Sequence, residues 1–141
     1  AESVAICRYL EALHPAPPLF GSTPEEQGRI EMSIRRIELN FMMPVGMVWV
    51  HASPLTAKVN PHQIAEVAAQ NRRIVEAYFG CLDRHLATSR HLAGEAFSMA
   101  DILGICTLDF AAQLNDLHRR PEHTHLERWV AAVNARPSVA T

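Results

Sequence analysis

Phe97-Ser98-Met99-Ala100-Asp101-Ile102 is the stretch whose reading decides the fold. Ser98 is spaced to accept the backbone N–H three residues on, and Asp101 to reach back to the Ser98 amide, a reciprocal capping box in its Asp form. Phe97 and Ile102 occupy the two positions of a hydrophobic staple, which fixes the angle at which the chain enters the helix. The run from Ile102 to Leu117 is apolar almost all round, with Leu103, Ile105, Cys106, Leu108, Phe110, Ala111, Ala112 and Leu114 covering every direction. A helix apolar on all sides is predicted to lie buried at the centre of a domain.

Outward from this helix the start signals recur. Thr23-Pro24-Glu25-Glu26 carries a capping box with proline at the first helical position, so a long helix is predicted from here to about residue 51. Its stripe is Ile30, Ile34, Ile37 and Phe41, and Pro44 inside it predicts a kink. Asn60-Pro61-His62-Gln63 reads as another box, followed by the face Ile64, Val67, Ala68, Asn71, Ile74, Val75, Tyr78, Leu82 and Leu86. Thr124 and Glu127 read as a last box, ahead of Leu126, Trp129, Val130 and Val133 and a stop before Pro137. Residues 2–13 form a short amphipathic helix with Ile6, Tyr9, Leu10 and Leu13 on one face, too short to be stable undocked. Prolines 15, 17 and 18 make a stiff connector after it. No alternating run of strand length is present, so the fold class is all-α.

The bulk numbers agree with a globular protein. A chain of 141 residues is of single-domain length, and 48% apolar content with a net charge of −2 gives no field to draw nucleic acid or anionic lipid. The pairs Arg35-Arg36, Arg72-Arg73 and Arg119-Arg120 read as solvated helix faces, and no apolar run is long enough to span a bilayer. Cys7, Cys81 and Cys106, odd in number and widely spaced, read as reduced core thiols of a cytosolic protein.

In this order and spacing, the segments resemble the cytosolic glutathione transferases of bacterial type. Glu2-Ser3-Val4-Ala5-Ile6-Cys7-Arg8-Tyr9-Leu10 is similar to that family's Glu-Ser-x-Ala-Ile-x-x-Tyr-Leu segment, and His14-Pro15-Ala16-Pro17-Pro18-Leu19-Phe20-Gly21 to its interdomain linker. Leu126-Glu127-Arg128-Trp129 and Ala135-Arg136-Pro137-Ser138-Val139 are similar to its late helix and exit. The resemblance implies residues 1–14 as the terminal helix of a thioredoxin-like domain otherwise absent from the chain, 15–22 as linker, and 23–141 as a C-terminal-like helical bundle around a buried central helix. It implies a cytoplasmic homodimer that conjugates glutathione, a co-substrate rather than a cofactor, to small apolar electrophiles.

Candidate site residues follow. The resemblance assigns Glu2 and Ser3 to the γ-glutamyl end of glutathione, and the chemistry suits it. A helix start favours a carboxylate, the Ser3 hydroxyl adds a donor, and the Glu2 carboxylate meets an ammonium. The plainer reading is that Glu and Ser simply open a helix. Met42, Met43 and Met47 are candidates for the electrophile pocket because methionines adapt to varied apolar shapes, although such a stripe also reads as core. Arg35 and Arg36 are candidates for a glutathione carboxylate or are solvated. Ser98 and Asp101 are structural, and Asp109 has no assignment.

Glu11-x-x-His14 and Glu122-x-x-His125 match a di-iron spacing but stand at helix ends, so no metal is expected. Cys106 on a buried helix is expected to be inert. No catalytic residue is assigned, since the family's thiol-activating Tyr, Ser or Cys finds no counterpart here; this chain alone is expected to be inactive. The alternative function is a non-catalytic interaction module of the same fold.

Overall fold

The computed structural model describes residues 1–139; residues 140 and 141 of the predicted helical domain lie outside the described residues. Six α-helices follow in order: α1 Ser3–Leu13, α2 Pro24–Ile37, α3 Met43–Ala52, α4 Ala65–Leu86, α5 Met99–Asn115 and α6 Thr124–Asn134, with a π turn at Glu38–Met42 joining α2 to α3. No strand occurs among the described residues, and no helix is long and apolar enough to cross a membrane.

The core is one cluster. Ile30, Ile34, Ile37 and Phe41 face inward from α2 and the π turn, and Phe41 stacks on Tyr78 with ring centroids 5.4 Å apart and meets Phe79 edge-on at 5.7 Å. On α4 the buried face is Ala68, Val75, Phe79, Leu82 and Leu86, whereas Ile64 and Ile74 of the predicted stripe are exposed. On α6 Leu126, Trp129, Val130 and Val133 are all buried. Gly104 lets α5 approach α6: a Cβ there would lie 2.5 Å from Leu92 and 3.3 Å from the Trp129 ring.

At Ser98 the capping box is formed. Asp101, fully buried, accepts the Ser98 amide at 2.9 Å, the Ser98 hydroxyl at 3.2 Å, the Leu92 amide at 3.0 Å and the Trp129 indole N–H at 2.7 Å. α5 is not covered all round, however. Cys106, Asp109, Gln113 and Leu114 are exposed along one stripe, which corrects the expectation of complete burial.

The long second helix also differs from expectation. The distortion precedes Pro44 rather than following from a simple kink: the Met43 amide donates to the Glu38 carbonyl across a π turn. Two predicted boxes are absent. α4 starts at Ala65 with no side-chain cap, because Asn60 and Gln63 both donate back to the Val50 carbonyl, at 3.2 and 3.1 Å, and so close the end of α3 instead. At α6 Glu127 pairs with Arg119, and the cap comes from Asp83 of α4, which accepts the His125 and Leu126 amides at 2.8 and 2.9 Å.

Candidate functional site

Glu2 and Ser3 open α1. Glu2 is the residue before the first turn, its carbonyl accepts the Ile6 amide at 3.0 Å, and its own side chain makes no cap. Its backbone has φ 64° and ψ 105°, a conformation that non-glycine residues avoid at a cost of about 1–3 kcal/mol. Both side chains are exposed, and among the described residues Glu2 enters no ion pair. A carboxylate held outside an uncapped helix start, next to a hydroxyl, offers an acceptor for an ammonium and donors for a carboxylate within one turn.

α1 is held to the bundle by charge more than by apolar burial. Val4 is its one buried residue. Arg8 pairs with Glu31 of α2, and its guanidinium lies 4.3 Å from the Phe20 ring centroid. Glu11 accepts the Leu19 and Phe20 amides at 2.6 and 3.1 Å, which ties the linker back onto the helix and occupies the carboxylate of the first Glu-x-x-His pair. Ile6, Tyr9, Leu10 and Leu13 remain exposed.

The methionines stand on a different element. Met42 and Met43 are exposed where the π turn meets α3, and Met47 is half-buried one turn on. Arg35 is engaged by Glu31 of its own helix and by Glu38 at the start of the π turn. Arg36 instead borders a cleft of about 420 Å³ between α2 and α4, whose apolar lining includes Met32, Ile37, Tyr78, Leu82 and Leu92. Burial raises the Tyr78 hydroxyl pKa above the usual tyrosine value, so the ring enters this cleft neutral. Cys106 is exposed rather than buried as expected, and partial desolvation, with a smaller contribution from the Asp109 carboxylate, raises its pKa and keeps it a thiol.

One residue that the sequence reading passed over joins three helices. Asn115, at the end of α5 and buried, donates from its side-chain amide to the Val45 carbonyl at 3.1 Å, while its own carbonyl accepts from Arg72 at 2.9 Å. An amide as the last residue of an apolar helix was the available signal.

Comparison with known proteins bears on this geometry. Residues 46–137 match the family described as glutathione S-transferase, C-terminal domain. The chain is 37% identical to glutathione S-transferase 2 of Saccharomyces cerevisiae over 99% of its own length and 60% of that protein's. It superposes on the crystal structure of Gtt2 from Saccharomyces cerevisiae with a TM-score of 0.93 at 37% identity, covering 99% of this chain and 67% of that one. It is also 29% identical to elongation factor 1-gamma 1 of Oryza sativa, over 91% of this chain and 30% of that protein. The chain thus spans less than two thirds of the curated relatives that it matches. The chain, an all-helical bundle whose central helix is opened by the Ser98–Asp101 box and which is matched both in sequence and in superposition, belongs to the glutathione S-transferase family as its C-terminal helical domain.

Proposed function

We propose that this chain is the helical portion of a two-domain glutathione transferase, in which Glu2 and Ser3 hold the γ-glutamyl end of glutathione and Met42, Met43 and Met47 border the pocket for a small apolar electrophile. The observation that carries the reading is the backbone of Glu2. A positive φ on a non-glycine residue persists where the surroundings enforce it, and such positions cluster at ligand sites. The Glu2 side chain makes no cap bond and is exposed, so its carboxylate is available to an ammonium, and the first amides of α1 and the Ser3 hydroxyl are left to a carboxylate.

In the reaction the glutathione sulfur attacks the electrophilic carbon, the C–S bond forms, and a leaving group such as halide departs with its electron pair while the thiol proton is lost. This chain contributes binding. The group that lowers the thiol pKa lies on none of its residues, and glutathione serves as co-substrate with no resident cofactor. The same reading makes the protein a cytoplasmic homodimer. Its three free cysteines suit a reducing compartment, and the open apolar cleft between α2 and α4 suits a second copy.

Calorimetry on the full-length protein tests the site. Glu2→Ala and Ser3→Ala are each expected to weaken glutathione binding by about 1–3 kcal/mol, since each removes a charge-assisted contact to one end of a zwitterion. Unchanged affinity in both variants overturns the assignment of this site.

A further inference from the structure

Past residue 42 the helix that began at Pro24 changes its partner. α2 packs chiefly on α5, whereas α3 packs chiefly on α4 and secondarily on α5. The buried positions Ile30, Ile34, Ile37, Phe41, Val45 and Val48 nevertheless keep the spacing of a single straight α-helical face. The π turn reconciles the two. Each α-helical residue advances the face by about 100°, so the one extra residue of a π turn swings everything downstream through about that angle, from α5 toward α4.

The same place is the weakest in the helix. Pro44 has no N–H, so the Asn40 carbonyl loses its usual donor, and the Met43 amide goes to Glu38 instead. A helix with a soft joint needs an outside contact to fix the rotation of the part beyond it. Asn115 supplies one in the first turn past the joint, through its 3.1 Å bond to the Val45 carbonyl. Its own carbonyl is held by Arg72 of α4, so α3, α4 and α5 are tied at one point. Burying an amide is costly unless it is bonded, and an apolar side chain would fill the space without that cost. An amide here therefore serves register more than stability.

We propose that Asn115 is a positioning residue for the electrophile pocket: acting through the Val45 carbonyl, its amide fixes the rotation of α3 and hence the places of Met43 and Met47, two residues to either side of Val45. The inference rests on the reading of those methionines as pocket residues. Flexible thioether side chains give a pocket of defined depth only when their backbone is anchored.

The test uses the full-length protein with Asn115→Leu and, as a smaller replacement, Asn115→Ala. Alkyl isothiocyanates from methyl to hexyl are the electrophiles: the glutathione sulfur bonds to the central carbon, the thiol proton ends on nitrogen, and nothing leaves. In the unmodified protein kcat/KM rises with chain length as methylenes enter the pocket. Both variants flatten that rise, with a loss of about fivefold or more for the hexyl compound and less than about twofold for the methyl compound and for the KM of glutathione. Amide exchange across residues 43–50 quickens in the variants while that of α6 is unchanged. An equal loss along the whole series overturns the proposal, as does an unaltered series in a folded variant, or failure of both variants to fold, which would make Asn115 a stability residue. An unmodified protein that conjugates no isothiocyanate sinks the functional reading instead, and the inference with it.

Discussion

Four donors converge on the carboxylate of Asp101, and all of them are out of contact with water: the Ser98 amide and hydroxyl, the Leu92 amide and the Trp129 indole. Removing it strands each of them, and a buried donor without an acceptor costs about 1–3 kcal/mol, so Asp101→Ala is expected to destabilise by about 3–5 kcal/mol once neighbours relax. Ser98→Ala removes the cap and one of the four donors, leaves no buried donor stranded, and is expected to cost about 1 kcal/mol. Denaturant midpoints of the two variants check the ratio, and equal small losses would show that the carboxylate carries no more than a cap. Ser98 and Asp101 were legible in the sequence because a capping box is local. The Leu92 and Trp129 donors were not, since one lies nine residues away and the other twenty-eight. Glu2 enters as a candidate only through family resemblance, and its positive φ leaves no trace in residue type.

At the scale of elements, local signals succeeded where no rival partner stood nearby. Thr23 and Glu26 form the box that their spacing predicts, with Glu26 accepting the Ser22 and Thr23 amides at 2.9 and 3.2 Å. Gln63 and Glu127 sit in equally good sequence contexts and cap nothing of their own, because the open end of α3 and the Arg119 guanidinium compete for them. The Glu26 box has a pH signature. Those two backbone amides hold its carboxyl below the usual glutamate pKa of about 4.3. A folded-state pKa below the unfolded one means that the carboxylate's stabilisation is present above the unfolded value and is lost as pH falls through the folded one. Glu26→Gln keeps an acceptor in the box without the titration, so its midpoint is expected to fall less between pH 7 and pH 3 than that of the unmodified chain. An identical fall in both would show that the Glu26 bonds are not made in solution.

For the whole molecule, the helix order and the central position of α5 were legible, because periodicity and caps repeat along the chain. The faces left open were not, because a sequence shows which side chains are apolar but not which surface arrives to cover them. Among the described residues, such faces include Ile6, Tyr9, Leu10 and Leu13 on α1 and the stripe of α5 bearing Cys106, Asp109 and Leu114. With Val4 as its one buried residue, α1 hangs on Arg8 and Glu11, contacts that exposure to water weakens. In the 141-residue chain on its own, α1 amides are therefore expected to exchange well before those of α5, which open only when the core does. On the proposed reading the same chain carries the glutathione-binding Glu2 and Ser3 without the group that ionises the thiol. It is expected to conjugate a chloronitrobenzene no faster than buffer and to pass through immobilised glutathione unretained. Turnover by the purified chain would require an activating group among these residues and would overturn the reading that places that group elsewhere in the full-length protein.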